Sequence, residues 1–211
     1  MNHPAKYSDA LLPHFATWLC GYARLLDPFA GTGKLRTIRP DAVLLEIEPE
    51  WAALSGAVLG DALNMPWEWT GFFDAVCTSP TYGNRMADHF TDHQPEKRYR
   101  RNTYTHALGR KLDPRNSGSL QWGDAYRAFH TQAWQEVARI LRPGGRFVLN
   151  ISDHIRAGQR VPVAAWHRET VLTLPFTLTA TLAVSTPRQR YGQNGAARVA
   201  EEMIFVFDKE S

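Results

Sequence analysis

Two cysteines are all that this chain of 211 residues contains, Cys20 and Cys77. Neither belongs to a C-x-x-C pair, so neither a disulfide framework nor a cysteine zinc site is expected, and a reducing cytoplasm is the simple setting. Eight histidines occur, none in an H-E-x-x-H arrangement. His89 and His93 are four apart but no third ligand accompanies them, so no metal is expected. No apolar run approaches the roughly eighteen residues of a membrane span. The first residues, Met1-Asn2-His3-Pro4-Ala5-Lys6, lack the basic-then-apolar build of a signal peptide. Internal repeats and low-complexity tracts are also missing. Neither sign of charge is much in excess, with a formal net of +3.

What is present suits one globular α/β domain. Hydrophobic residues make up 44%, enough for a core and too many for a disordered chain. The length allows one such domain and is short for two. The small net charge is unevenly spread. From Arg85 to Arg115 eight basic residues (Arg85, Lys97, Arg98, Arg100, Arg101, Arg110, Lys111, Arg115) face four acids (Asp88, Asp92, Glu96, Asp113). From Pro187 to Val199 there are three arginines, Arg188, Arg190 and Arg198, and no acid. Two basic loops on a near-neutral body suit a polyanion such as nucleic acid, and equally suit two solvated loops.

Periodicity predicts the following elements. Ser8 caps a helix through about Tyr22, in which Leu11, Leu12, Phe15 and Leu19 share a face. Strands follow at 23–28, 42–47, near Val58 and at 72–78. A short helix opens at Gly31-Thr32-Gly33, and another starts at Pro49, a residue suited to a first helical turn. Residues 83–123 show no clean period and read as a functional or disordered insertion. A long helix begins at Asp124, and Pro143-Gly144-Gly145 turns into a strand at 146–151. A helix at 162–172 precedes strands at 178–184 and 203–207. Strands alternating with helices predict a parallel sheet. Two final strands with no helix between them predict an antiparallel edge.

In an open parallel sheet, ligands bind beyond the carboxyl ends of the strands. Chemistry-bearing residues follow four of these strands. Asp27-Pro28-Phe29-Ala30-Gly31-Thr32-Gly33 ends the first. Its glycines let the backbone approach a ligand closely, but it is not the G-x-G-x-x-G of a dinucleotide site. Its acid, Asp27, would repel a pyrophosphate and would tolerate a ligand bearing a sulfonium and an ammonium. A second acid, Glu46, ends the second strand, where a carboxylate can accept ribose hydroxyls. Asp61 and Ala62 follow the third. Thr78-Ser79-Pro80-Thr81-Tyr82-Gly83 ends the fourth. A nucleobase amine is a poor nucleophile because its lone pair is delocalised, and fixed oxygens can accept its hydrogens as charge develops. The Ser79 hydroxyl and the Pro80 carbonyl supply such oxygens, and Tyr82 supplies a ring on which a flipped base can stack.

These motifs, in this order, resemble the amino-methyltransferases that use S-adenosylmethionine (SAM) to methylate N4 of cytosine or N6 of adenine in DNA. The resemblance runs from His3 to about Asp208 and is weakest over 83–123. It implies one Rossmann-like, seven-stranded SAM methyltransferase domain over 1–211, mostly parallel with an antiparallel C-terminal edge strand, and with 83–123 as the substrate-binding insertion. It implies a cofactor site formed by Asp27, Phe29, Ala30, Gly31, Gly33, Glu46 on the ribose, Ile47 against adenine, Asp61 on the adenine amine, Ala62 and Ser79. Lys6 and Ser8, from a segment His3-Pro4-Ala5-Lys6 that fits the family's pattern loosely, fall near the methionine end. Ser79, Pro80 and Tyr82 are the implied catalytic residues. The partner implied is double-stranded DNA with a flipped base, bound by 83–123 and 185–201, where Asn84, Arg85, Asn102 and His106 are further candidates. Tyr99, Tyr104 and Trp122 interleave with the basic residues, as on surfaces that stack bases.

The chain departs from the family at Thr81, where a second proline is expected. Threonine leaves φ free and adds an N–H, so the loop loses the stiffness of a ring. The serine form of the motif goes most often with N4-cytosine, ahead of N6-adenine. Methylation at C5 is not expected, since it needs a thiolate and Cys77 lies inside an apolar strand. Two other readings stay open. One is an RNA or other amine methyltransferase with the same site, and the other a SAM- or nucleic-acid-binding protein whose catalytic loop has degraded at Thr81. A restriction–modification or phage setting is compatible with all three.

Overall fold

The computed structural model describes residues 8–83, 104–186 and 199–211. Its centre is a seven-stranded sheet in the order β3-β2-β1-β4-β5-β9-β8. The strands are β1 (Leu25–Asp27), β2 (Val43–Glu46), β3 (Val58–Leu59), β4 (Phe73–Thr78), β5 (Leu141–Ile151), β8 (Phe176–Ser185) and β9 (Glu201–Lys209). A separate hairpin joins β6 (His154–Arg156) to β7 (Gln159–Val161). The first five strands of the sheet pair in parallel. The last strand of the chain, β9, runs antiparallel between β5 and β8. The C-terminal hairpin therefore gives the sheet its antiparallel edge, with β8 outermost.

Alternation along each strand explains the three layers. Leu26, Leu45, Val76, Phe147, Leu149, Phe205 and Phe207 point to one face, where they meet Tyr126, Trp134, Val137 and Ile140 of α4 (Asp124–Ile140) and Val163 and Val171 of α5 (Val163–Val171). Their neighbours Leu25, Leu44, Ala75, Cys77, Val148, Ile204 and Val206 point to the other, against Phe15 of α1 (Leu12–Trp18), Leu11, Leu19 and Leu35. Side chains at successive strand positions leave opposite faces, and a sheet covered on both sides needs them apolar on both. Cys77 is one of these core residues, fully buried, as its place in an apolar strand predicts.

Several boundaries differ from the sequence expectation for local reasons. Ser8 does cap the first turn, accepting from Ala10 N at 3.4 Å, but that turn is 3-10, and the α-helix begins at Leu12. The loop at Gly31 opens no α-helix. Gly31 and Gly33 both have positive φ, and only a 3-10 turn, Lys34–Thr37, follows. The helix α2 (Pro49–Ser55) starts at its proline as predicted and ends on Gly56. Pro143-Gly144-Gly145 lies between two registers of β5, since Leu141 pairs with Phe73 and pairing resumes with Arg146 opposite Ala75. The described residues of the insertion form α3 (Tyr104–Leu108) and a 3-10 turn, Ser117–Ser119. Among the described residues no helix is long and apolar enough to cross a membrane.

The amino ends of the strands are tied by charge. Asp74 at the start of β4 accepts from Arg24 Nη2 at 3.0 Å and from Arg142 Nε at 2.6 Å. The Arg24 guanidinium beside it holds its carboxyl well below the usual range. At the other edge the loop after β1 lies close to β2 and α2. A Cβ on Gly33 would sit 2.7 Å from Leu44 Cδ1 and 3.0 Å from Ser55 Cβ, at a φ of 74°. Gly33→Ala combines left-handed strain with overpacking and is expected to lower stability by about 2 to 4 kcal/mol in urea unfolding of the ligand-free protein. A change below about 0.5 kcal/mol would show that this approach is not tight.

Candidate functional site

The parallel strands end together, so their terminal residues form one row along the carboxyl edge of the sheet. Three buried carboxylates stand at or just past the ends of β1 and β2, and each must find donors, because a buried charge without partners is costly. Asp27 is fully buried. Its Oδ1 receives the Thr78 hydroxyl at 2.6 Å and Phe29 N at 3.1 Å, which ties the end of β1 to the end of β4. Glu46 reaches across to the first loop. Its Oε2 accepts from Gly31 N at 2.8 Å, and its Oε1 from Ile47 N at 3.0 Å and Glu48 N at 2.9 Å. A carboxylate has about four acceptor positions, so this arrangement leaves Glu46 room for one further donor. Burial pushes its pKa up to about 7, against the pull of the backbone N–H groups, and the charge of Glu48 adds to the rise.

Glu48 is the third buried acid, and its partners come from the insertion. Arg110 Nη2 donates to its Oε2 at 2.7 Å, and Asp113 N and Asn116 Nδ2 donate to its Oε1 at 2.9 and 2.7 Å. Arg110 Nε also donates to Glu50 Oε1 at 2.7 Å. Arg115 pairs with Asp113 and lies 3.7 Å from Asp61. Tyr104 is buried edge-on against Trp51, with ring centroids 5.5 Å apart. Residues 104–119 are thus a strap fastened to the elements that follow β2 and β3. This changes the expectation for the insertion in two places. Arg110 is engaged by Glu48 and Glu50, and the exposed Arg115 pairs with Asp113 at the surface. Tyr104 is a core residue and so is no stacking platform. Trp51 is likewise core.

The fourth strand delivers the second motif to the same edge. Ser79 is half-buried, Pro80 buried and Tyr82 half-buried. The Tyr82 hydroxyl lies 2.8 Å from both Ser79 Oγ and Glu202 Oε2. Asn150 Nδ2 donates into the same group, to Glu202 Oε2 at 2.7 Å, Tyr82 Oη at 2.9 Å and Ser79 Oγ at 3.0 Å. Neither Asn150 nor Glu202 was singled out in the sequence. A signal existed for Asn150, a polar residue near the carboxyl end of an apolar strand. Glu202 gives itself away only once β9 is known to run antiparallel. Its start then lies at the carboxyl edge of the parallel strands, just past the pairing of Ile151 with Met203.

Thr81, where the loop lacks its second proline, is held by other means. Its carbonyl accepts the Tyr126 hydroxyl at 2.6 Å, and its own hydroxyl donates to Ser117 Oγ at 3.0 Å. Behind Tyr126 stands His167, with Nε2 2.9 Å from the Tyr126 oxygen and Nδ1 receiving Trp134 Nε1 at 3.0 Å. The Tyr126 proton goes to Thr81, so His167 must carry its own proton on Nε2. All three bonds then run in one direction, from Trp134 through His167 and Tyr126 to the loop. Burial holds the His167 pKa well below its ordinary value, with His130 adding to the shift, and so keeps the ring neutral as this chain requires. The anchor replaces with hydrogen bonds some of the stiffness that a proline ring would give.

The remaining candidates divide between the two motifs. Phe29 is half-buried among Phe129, His130 and Trp134. Ala30, Gly31 and Ala62 are buried, and Ile47 and Asp61 half-buried, all in the loops that follow β1, β2 and β3. Ser8 caps the turn before α1. Asp153 accepts from Ala164 N at 2.8 Å and from Arg160 at 2.7 Å, a helix-capping role. Trp122 packs edge-on against Trp166 and beside Tyr126. Cys77 has its thiol pushed up by burial and by the Asp27 charge, which makes it inert. Lys6 with His3-Pro4-Ala5, Asn84, Arg85, Lys97, Arg98, Tyr99, Arg100, Arg101, Asn102, Arg188, Arg190, Arg198 and the side chain of His106 lie outside the described residues.

No family model matches the chain, and no curated protein sequence matches it. Its likeness is to solved structures. PH0226 protein from Pyrococcus horikoshii OT3 is 14% identical, with a TM-score of 0.57 over 96% of this chain and 89% of that one. N-methyltransferase NodS from Bradyrhizobium japonicum WM9, in complex with S-adenosyl-L-homocysteine, is 10% identical, with a TM-score of 0.56 over 95% and 84%. Geranyl diphosphate methyltransferase, in complex with GPP and sinefungin, is 11% identical, with a TM-score of 0.59 over 94% and 78%. At these identities the likeness establishes the fold, the mostly parallel Rossmann-like sheet expected from the sequence.

The raised Glu46 pKa has a consequence for stability. Between about 4.5 and 7 the folded carboxyl holds a proton that the unfolded chain has released. Stability is therefore greatest below this window and falls as pH rises through it. Relative to Glu46→Gln, the ligand-free protein is expected to lose stability between pH 5 and pH 8, by about 3 kcal/mol at most. Paired thermal melts at the two pH values measure this, and an equal gap at both would remove the assignment.

Proposed function

We propose that the protein transfers a methyl group from SAM to an exocyclic amine of a DNA base, with N4 of cytosine ahead of N6 of adenine. The observation that carries this reading is the meeting of two kinds of group on one edge of the sheet. Carboxylates end β1 and β2 and follow β3, and beyond β4 lies a loop with a serine hydroxyl and a proline carbonyl.

The donor set fits SAM. The ligand has hydroxyls and an amine to give to acceptors, and cationic groups that acids attract. Glu46 has one acceptor position left for a ribose hydroxyl. Asp61 would take the adenine amine beside Ile47 and Ala62. Asp27 sets the negative field at the methionine end, where Phe29, Ala30, Gly31 and Gly33 form the near wall. The bound cofactor would supply a methyl group made electrophilic by its sulfonium. Ser79 Oγ and the Pro80 carbonyl would accept the hydrogens of the amine and turn its lone pair toward that methyl. Tyr82 would flank the base. Lys6, Ser8 and the basic residues of 83–103 and 187–198 would complete the cofactor and DNA contacts, and the anchored Thr81 favours a working loop over a degraded one.

A second reading has its own support. With Arg110 and Arg115 engaged by Glu48, Glu50, Asp61 and Asp113, the insertion has two fewer cations for phosphates. A smaller amine substrate, or RNA held by a shorter contact, is then the alternative acceptor for the same site.

SAM at about 100 times its dissociation constant is expected to stabilise the protein by roughly 2.7 kcal/mol. Asp27→Ala, Glu46→Ala and Asp61→Ala should each blunt the thermal shift. A shift with NAD and none with SAM or S-adenosylhomocysteine would overturn the cofactor. The substrate is tested by incubating DNA, RNA and free nucleosides with labelled SAM and digesting the products. N4-methylcytosine in DNA is the expected product, with N6-methyladenine next. Label only in RNA or a nucleoside would select the second reading, and C5-methylcytosine would contradict the mechanism.

A further inference from the structure

We infer that Ser79, Tyr82 and Glu202 form a proton relay, with Glu202 the terminal acceptor of the proton that an amine substrate releases on methylation. This rests on the amine methyl-transfer reading above and adds to it a residue from the far end of the chain.

The bond directions are set by proton counting. Tyr82 has one hydroxyl proton and two neighbours at 2.8 Å, Ser79 Oγ and Glu202 Oε2. A carboxylate is the stronger acceptor, so Tyr82 donates to Glu202 and accepts from Ser79. Asn150 is fully buried, and its amide nitrogen faces all three oxygens. Its Oδ1 has no hydrogen-bond partner among the described residues. That orientation is the sound one, because the amide oxygen turned inward would face a carboxylate. Ser79 Oγ therefore gives its proton to Tyr82. Asn150 has two N–H protons for three oxygens, so Ser79 accepts at most one of them and keeps at least one lone pair for a substrate N–H. It is half-exposed, as the first member of the chain must be to meet a substrate.

A serine hydroxyl can accept a hydrogen bond from an amine but cannot hold its proton. The relay removes that difficulty. As the amine nitrogen bonds to the methyl carbon, the carbon–sulfur bond breaks and its electron pair stays on sulfur. The amine proton moves to Ser79 Oγ, the Ser79 proton to Tyr82 Oη, and the Tyr82 proton to Glu202 Oε2. The product amine leaves neutral, both hydroxyls are restored, and one proton rests on Glu202 until solvent takes it. Tyr82 thus has a task its ring alone could not perform. The substrate class is an amine with a hydrogen to lose.

Two variants separate the relay from packing. Tyr82→Phe keeps the ring and removes the hydroxyl, while Glu202→Gln keeps a hydrogen-bonding side chain and removes the base. With the full chain, labelled SAM and DNA, each is expected to lower kcat about 100-fold while KM for DNA moves less than about threefold. The double variant should be no slower than the slower single one, since one broken link already stops the relay. The thermal shift with SAM should stay as in the wild type, which also checks folding. A folded variant of either kind within about threefold of wild-type kcat, or losses that multiply in the double variant, would overturn the relay and leave the methyl-transfer reading standing. A wild type that binds SAM yet methylates neither DNA, RNA nor nucleosides would overturn both.

Discussion

Carboxylates buried at the ends of parallel strands are the constraint around which this molecule is arranged. Asp27, Glu46 and Glu48 are all largely or wholly shielded from water, and such a group persists only where donors surround it. Each recruits a different part of the chain. Asp27 takes the Thr78 hydroxyl and so couples the first loop to the fourth strand. Glu46 takes Gly31 N and so sets the distance between the first loop and β2. Glu48 takes Arg110, Asp113 N and Asn116 and so fastens a strap from more than sixty residues away. The row of acids is the frame of this edge of the sheet.

The loop after β4 follows a related logic. Where a ring would fix the backbone at position 81, a threonine is held from both sides by hydrogen bonds. The carbonyl is reached by a buried file of Trp134, His167 and Tyr126, and the hydroxyl by Ser117. Buried polar chains are worth forming only when every link is satisfied, and here the single proton on each group suffices. The loop's stiffness therefore depends on α4, α5 and the strap.

The later part of the basic insertion, with Tyr104, Arg110, Arg115 and Asn116, is fastened to the residues that follow β2 and β3. Arginine in an ion pair with a buried acid is held by the cost of stranding that acid, which explains why composition misjudged Arg110.

The fold class was legible in the sequence because it rests on short-range regularities. Apolar alternation marked both faces of each strand, Pro49 marked the start of α2, and a missing crossover helix marked the antiparallel hairpin. The position of Asp27, Glu46, Asp61 and Ser79 at strand ends was legible for the same reason, since a parallel sheet brings every such end to one edge. What the sequence could not supply were partners distant along the chain. Nothing local in Glu46-Ile47-Glu48-Pro49 marks Glu48 as the acid that the strap buries. Tyr104 looked like a stacking residue until Trp51 met it. Glu202 lies 120 residues from Tyr82 and comes beside it only because β9 reverses direction. Local pattern decides which residues form strands and where they end. Pairing order and strand direction decide which ends meet, and those depend on contacts that no stretch of sequence contains by itself.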